Sequence, residues 1–210
     1  KDDYLHLSIE GKSAHGATPQ LGLNAAYIMI EFFKEIDLNN GFIDLIDTYL
    51  LNDSYGKKMG VDFKDQETGS LTINAGLFNY DEKGFEIIIN PRYPNNVDSE
   101  ELIKKMIALF EVLGHKAELI SHQKSLYVDP NSFLVKTLLN VYKKHSKDFD
   151  ALPLTTGGGT YARAMENSVA FGPEFPGTNN LIHQPNEFID IDELVKMVAI
   201  YAESLYELAK

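Results

Sequence analysis

The sequence predicts a fold of mixed class, α+β followed by α/β. Residues 1–122 switch between period-two alternation and helical spacing in the order β-α-(α)-β-β-α-β. That order is typical of a ferredoxin-like domain, an antiparallel sheet with helices on one face. From residue 123, helices and short apolar strands follow one another in α/β style, in a unit too short for a complete doubly wound domain.

The first half of that pattern begins with a predicted strand over residues 4–10, where apolar and polar residues alternate. After the turn-rich stretch 11–22, apolar residues recur at helical spacing to about Ile36. A shorter helix is predicted over residues 42–51. Residues 52–69 are polar enough to be a loop.

A β-hairpin and a capped helix complete the predicted domain. Two alternating stretches flank a turn at residues 81–84, and their apolar positions are Leu71, Ile73, Ala75, Leu77, Phe85, Ile87 and Ile89. Asp98 or Ser99 caps the next helix, and Gly114 stands where a left-handed residue ends one. A closing strand is predicted over residues 116–122.

The remaining chain predicts a helix over residues 133–145 and a short strand ending at residue 155. A glycine cluster, another helix and a strand over residues 168–171 follow. An amphipathic helix then begins after Asp190 and reaches about Leu205.

Composition narrows the partners and the compartment. Nineteen basic against thirty-one acidic residues give a net charge of −12, which opposes binding to a phosphate backbone. No apolar run is long enough to span a bilayer, and cysteine is absent. We expect a cytoplasmic protein without nucleic-acid or membrane partners. Because Lys1 lies at the edge of a predicted strand, we also expect a piece cut from a longer chain.

Two histidines stand in candidate functional loops. His15 lies among glycines and small residues in G-K-S-A-H-G-A-T-P, where a loop could present it to a ligand, although on chemistry alone a surface histidine in a flexible connection is the favoured interpretation. His183 in I-H-Q-P-N-E, with Glu187 four residues on, could be a metal ligand with a supporting carboxylate. A zinc site needs three or four ligands, so His183 would require partners elsewhere.

The glycine cluster T-T-G-G-G-T could receive a phosphate or carboxylate on its backbone N–H groups, or could be only a tight turn. Arg92 alternates with the core positions of its strand and therefore faces the opposite side of the sheet. If helices leave that side uncovered, Arg92 could lie over a substrate together with Asn74, Asn90 and His6.

Together, the His15 motif with Gly22 and Asn24 beyond it, T-T-G-G-G-T-Y-A-R and I-H-Q-P-N-E resemble the aminoacylase/carboxypeptidase/dipeptidase metallopeptidases. The likeness is greatest to the monomeric bacterial dipeptidase V group, and it runs through essentially all 210 residues. It implies that residues 1–122 are a lid domain and residues 123–210 the C-terminal part of the catalytic domain.

The resemblance also implies residue roles. His15 matches the lid histidine that stabilises the oxyanion, His183 matches a zinc ligand, and Glu187 completes its motif. The residues that would bind the C-terminal carboxylate of the substrate are Arg92, Gly157, Gly158, Gly159 and Thr160.

The family's two zinc ions, which manganese could replace, need further ligands and a general base that have no counterparts in this sequence. We therefore expect the intact enzyme to hydrolyse dipeptides and this chain alone to be inactive. An alternative is a non-catalytic, ferredoxin-like binding or dimerisation module, which would have no need for the α/β segment with His183.

Overall fold

The computed structural model of the protein describes residues 5–172, 174–178 and 186–210. These residues form a mixed fold of helices and small antiparallel sheets, which confirms the predicted mixed class. The helices are α1 (Ala25–Glu35), α2 (Gly41–Tyr49), α3 (Ser99–Val112), α4 (Phe133–Ser146) and α5 (Ile191–Leu208). The strands are β1 (Lys64–Asp65), β2 (Gly69–Ser70), β3 (Thr72–Asp81) and β4 (Gly84–Arg92).

The chain divides into two compact units. The first comprises Lys1–Ser125 together with Thr155–Gly158, and the second comprises Leu126–Leu154 and Gly159–Lys210. Helices α1 to α3 and all four strands therefore belong to the first unit, whereas α4 and α5 pack together in the second.

All five helices were predicted, and each begins at a polar residue whose side chain accepts a backbone N–H of the first turn. These capping residues are Asn24, Asn40, Asp98, Ser132 and Asp190. Gly114 follows α3 with φ +83°, the left-handed conformation expected at that position.

The predicted hairpin is present, but a β-bulge changes which residues face the core. Strands β3 and β4 pair antiparallel, and their register shifts between Ala75 and Leu77. One extra residue in a strand reverses the side of every residue after it. Leu77, which simple alternation would place on the same side as Ala75, is therefore 38% exposed, while Phe78 packs against the core instead.

Four predicted strands are not formed. Residues 5–10 and 116–122 join no sheet, and the same holds for the segments ending at residue 155 and spanning residues 168–171. Alternation assigns two faces to a segment, but a strand also needs a neighbour that accepts its ladder hydrogen bonds. Without such a neighbour, Leu5 is 80% exposed.

Two further stretches differ from expectation. The predicted loop over residues 52–69 contributes Met59 and Val61 to the core, because left-handed turns at Gly56 and Gly60 fold it back on itself. The helix predicted after the glycine cluster is a single 3₁₀ turn, Tyr161–Ala164. The hydroxyl of Ser168 lies 2.6 Å from the Ala162 carbonyl oxygen, a group that a longer helix would use in its own ladder.

Each unit has its own hydrophobic cluster. In the first, twelve described side chains are buried between α1, α2, α3 and the hairpin, with Ile46 and Leu50 fully enclosed. In the second, four described side chains form the cluster: Val141, Phe175, Met197 and Ile200. No helix in the described part of the chain is long and apolar enough to cross a membrane.

Candidate functional site

The loop that carries His15 is closed at its base by a two-residue bridge. Lys12 and Leu23 exchange both backbone hydrogen bonds, at 2.9 and 2.8 Å. The backbones approach so closely there that a Cβ on Gly22 would lie 2.7 Å from the Lys12 carbonyl oxygen. Glycine at this position of the motif thus has a steric reason.

Beyond the bridge, Asn24 ties the loop to both α1 and the hairpin. Its side-chain oxygen accepts the Ala26 N–H at 3.0 Å, and its amide donates to the Ala75 carbonyl at 2.9 Å. The end of the loop is therefore fixed to strand β3.

His15 itself occupies the first position of a tight turn. The Thr18 N–H donates to the His15 carbonyl oxygen at 2.8 Å, and the Ala17 N–H donates to the imidazole Nδ1 at 3.3 Å. An Nδ1 that accepts a hydrogen bond carries no proton, so the proton of a neutral ring is on Nε2. The turn therefore leaves Nε2–H as the imidazole's donor.

The sheet face opposite the core lies beside this turn. The hairpin register pairs Thr72 with Arg92 and Asn74 with Asn90, which places all four residues on one face. The amide nitrogen of Asn74 would lie 3.6 Å from a Cβ on Gly16, so this face reaches the His15 turn. The predicted placement of Arg92 beside Asn74 and Asn90 is confirmed.

His6, the fourth residue predicted on that face, is not assigned to it, because residues 5–10 form no strand. Its side of the sheet is therefore undefined.

Arg92 is held by two hydrogen bonds. Its Nε donates to Asn90 Oδ1 at 3.0 Å, and its Nη1 donates to the Gly157 carbonyl oxygen at 2.8 Å. A guanidinium has five N–H donors in a planar fork, so these bonds fix its plane while using only part of its capacity.

The glycine cluster also contacts the His15 turn, through Gly157, the residue that accepts the hydrogen bond from Arg92. A Cβ on Gly157 would lie 2.5 Å from the Ala17 Cβ, and one on Gly158 would lie 3.9 Å from the His15 Cε1. The Gly158 N–H donates to the Thr156 hydroxyl at 3.1 Å, so one of the backbone donors expected to face an anion is already engaged. His15, Arg92, Gly157 and Gly158 thus meet within the first unit.

The other candidate residues lie elsewhere. Gly159 and Thr160 belong to the second unit, as does Glu187. His183 lies outside the described residues. The sequence argument missed Thr72, although its position between the core residues Leu71 and Ile73 already placed it on the face of Arg92.

A cavity of about 480 Å³ opens beside the loop within the first unit, and its lining includes Ser13, Tyr27, Glu31, Asn52 and Asn74. Burial, and to a lesser degree the nearby Asp53 carboxylate, raises the pKa of the Tyr27 hydroxyl to about 12. The Glu31 carboxylate accepts a hydrogen bond from the Asn52 amide at 2.8 Å. The cavity wall therefore combines polar groups with one acidic side chain, Glu31, and one basic side chain, Lys12.

A metal centre does not fit what the structure describes. Across residues 5–172, 174–178 and 186–210, no three His, Asp or Glu side chains gather closely enough to hold an ion. A zinc site needs three or four such ligands. His183, the metal ligand that the sequence suggested, lies outside the described residues.

Comparison with known proteins settles the family. The profile of peptidase family M20/M25/M40 matches residues 2–207. The chain belongs to peptidase family M20/M25/M40. The resemblance inferred from the three motifs is thus confirmed.

Curated relatives agree with the M20/M25/M40 assignment. Proteins named "Putative dipeptidase" from Staphylococcus epidermidis, Staphylococcus haemolyticus and Staphylococcus aureus are 39%, 37% and 35% identical to it over 208 residues. Each alignment covers 97% of this chain and 44% of the relative. The chain therefore spans less than half the length of the curated relatives that it matches.

Proposed function

We propose that this chain is the part of a cytoplasmic dipeptidase that holds a dipeptide and stabilises the negative charge formed on its scissile carbonyl. In this proposal residues 1–122 form the lid and residues 123–210 the C-terminal part of the catalytic domain. The lid would be ferredoxin-like once residues 5–10 and 116–122 pair as outer strands beside the hairpin, which supplies the central pair.

One observation carries the proposal. The His15 turn, Arg92 and the start of the glycine cluster are distant in sequence, yet they meet on one face of the hairpin. A cation, a fixed imidazole donor and a flexible-backbone loop are the groups that a small zwitterionic peptide would require.

His15 would act as the oxyanion donor. Its Nε2–H would donate to the carbonyl oxygen of the substrate, and this bond strengthens as negative charge develops in the transition state. A donor held in place by its own turn loses little conformational entropy when it acts.

Arg92 and the glycine cluster would receive the carboxylate of the dipeptide. Two N–H groups of Arg92 are already engaged, and its remaining donors can form charge-assisted hydrogen bonds to a carboxylate. Gly159 and Thr160 are proposed to add backbone and hydroxyl donors, and Gly157 and Gly158 would let the loop approach the carboxylate closely.

The metal chemistry of this proposal rests on groups that the described residues do not provide. The intact enzyme is proposed to hold two zinc ions, or manganese in their place, with His183 as one ligand and Glu187 behind it. The intact enzyme is proposed to be monomeric. The chain alone is proposed to be inactive, since a single imidazole cannot form a stable zinc site.

The decisive experiment is kinetic. In the full-length enzyme, His15→Ala should lower kcat by about 10²–10³-fold while both metals stay bound, since one oxyanion donor is lost. His115→Ala is the matched control, because His115 belongs to the same unit and packs against Phe85 on the opposite, core side of the hairpin. An unchanged kcat with a raised KM would make His15 a ground-state binding residue and refute this role.

Metal analysis tests the other half of the proposal. His183→Ala in the full-length enzyme should lower metal content and activity together, and full metal occupancy would refute the ligand assignment. Calorimetric titration of this chain with zinc should show binding no tighter than roughly micromolar, because three or four ligands are needed for a tight site.

A further inference from the structure

The His15 turn is held by contacts that connect Thr72, Ala17, Gly157 and Arg92. Thr72 on β3 and Arg92 on β4 face each other across the hairpin. Thr72 Oγ1 donates to the Ala17 carbonyl at 3.3 Å, and Arg92 Nη1 donates to the Gly157 carbonyl at 2.8 Å. Ala17 and Gly157 also touch each other. The His15 loop and the glycine cluster are therefore both held by the cross-strand pair Thr72–Arg92.

We propose that Thr72 is a positioning residue that selects the working tautomer of His15. This inference rests on the proposed function, in which the His15 Nε2–H is the oxyanion donor. Thr72 does not touch substrate in this scheme, and it acts on the imidazole through Ala17.

Ala17 transmits the effect because both of its backbone groups are engaged. Its carbonyl accepts from Thr72, and its N–H donates to the His15 Nδ1. Rotation of this residue would weaken both bonds together. With Nδ1 released, a neutral imidazole exchanges its proton between the two nitrogens, and Nε2 is then an acceptor for part of the time.

Burial makes Thr72 suited to this task. Its side chain is only 8% exposed, so water cannot readily replace the Ala17 carbonyl as the partner of its hydroxyl. On the other side, the absence of a Cβ at Gly157 leaves the space that the Ala17 methyl group occupies. Ala17 is thus held by a hydrogen bond on one side and by packing on the other.

The test is nitrogen-15 NMR of the imidazole rings in this chain, in which the His15 signals are assigned by their loss in His15→Ala. Wild type should show an unprotonated Nδ1 and a protonated Nε2. Thr72→Val keeps the shape of the side chain without its hydroxyl, and its two His15 nitrogen shifts should move toward each other. Thr72→Ser, which restores the hydroxyl, should return the wild-type pattern.

Thr48→Val is the matched control, because it makes the same change at an exposed position of α2. If Thr72→Val folds and leaves the His15 signals as in wild type, the proposal is wrong. Should Thr72→Val fail to fold, Thr72→Ala provides the second route. It removes the same hydroxyl, and unchanged His15 signals there would equally overturn the proposal.

Kinetics separates this inference from the proposed function. In the full-length enzyme, Thr72→Val should lower kcat about tenfold with little change in KM, the loss expected when one neutral hydrogen bond is misdirected. If the NMR signals shift as predicted but His15→Ala leaves kcat unchanged, the tautomer control stands and the oxyanion role fails. If His15→Ala is severe while Thr72→Val leaves both readouts unchanged, only the positioning role fails.

Discussion

The two units stabilise their helices in different ways. In the first, α1, α2 and α3 share a cluster of twelve buried described side chains with the hairpin. In the second, α4 and α5 share four, and the pair is supplemented at its surface by the Glu203 carboxylate, which contacts Lys144 and His145 at 2.7 Å. Burial of apolar side chains therefore stabilises the first unit, whereas the second combines a smaller apolar cluster with ion pairs between α4 and α5.

The largest difference should appear when a core isoleucine is truncated in each unit. Ile46→Ala should destabilise the chain by about 3–4 kcal/mol, since its side chain is fully buried and its neighbours cannot collapse into the cavity. Ile200→Ala should cost about 2 kcal/mol, because its smaller cluster can relax. Urea unfolding followed by circular dichroism measures both. Equal losses would contradict the distinction between the units.

An exposed apolar residue of α5 provides the control for that pair. Leu205 is 71% exposed, so Leu205→Ala should change the free energy of unfolding by less than about 0.5 kcal/mol. A loss like that of Ile200→Ala would mean that another surface covers this side of α5 in solution.

Alkaline titration compares one tyrosine from each cluster. Burial raises the pKa of Tyr27 to about 12 and also raises that of Tyr142. A folded-state pKa above the unfolded value gives stability that is present below pH 10 and is lost as pH rises toward 12. Tyr27→Phe should remove this dependence, which is worth about 3 kcal/mol for a pKa raised from 10 to about 12.

Tyr142→Phe should reduce the loss of stability at alkaline pH by less than Tyr27→Phe does, because Tyr142 lies against the smaller cluster. Urea unfolding midpoints measured between about pH 9 and 12 test both variants. This range covers the ordinary tyrosine pKa near 10 and the raised pKa of Tyr27. A larger effect of Tyr142→Phe would contradict the expectation that the tyrosine of the first cluster is the more buried of the two.

Helix capping offers a third comparison. Asn24→Ala removes both the cap of α1 and the bond to Ala75, so it should cost about 1–2 kcal/mol. Ser132→Ala removes only a 3.3 Å bond at the start of α4 and should cost about 0.5–1 kcal/mol. Asn24→Asp keeps the cap but loses the amide donor, and its thermal melting separates the two contributions.

The smallest effect should come from the surface carboxylate of α5. Hydrogen bonds from Lys144, and then from His145, lower the pKa of Glu203. A lowered folded-state pKa gives stability that is present above the ordinary value and is lost as pH falls through the folded value. The stability difference between wild type and Glu203→Gln should therefore shrink from pH 7 toward pH 3 in urea titrations. A constant difference across that range would contradict this contribution.

The helices and the hairpin were predictable because local signals specify them. The side chains of Asp98 and Asp190 mark the starts of α3 and α5 because each can accept an N–H of the first turn. The spacing of apolar residues then predicts how far each helix extends. The segments over residues 5–10 and 116–122 have the same alternation as β3, yet they form no strand. Pairing depends on partners that alternation alone does not specify.

The candidate site was predictable in part for the same reason. Alternation placed Arg92 opposite the core, and residue type marked His15 as a candidate donor. That Gly157 lies against Ala17, and that Thr72 reaches the Ala17 carbonyl, follows from tertiary approach across 140 and 55 positions of sequence. No spacing rule covers such distances.

The bulge after Ala75 allows β3 to serve the His15 loop at one end and the helices at the other. Upstream of Gly76 the strand directs Thr72 and Asn74 toward the loops, and downstream it directs Phe78 and Tyr80 toward α1 and α2. Deleting Gly76 would remove the bulge and leave Phe78 opposite Ile87 in a regular ladder. One more residue there, absorbed without a second bulge, would instead turn both rings to the opposite face of the sheet. Insertions at the Asp81–Gly84 turn carry no such consequence. The hairpin can therefore change length at its tip, whereas one residue added near its base would break the relation between the face of Thr72 and Asn74 and the face of Phe78 and Tyr80.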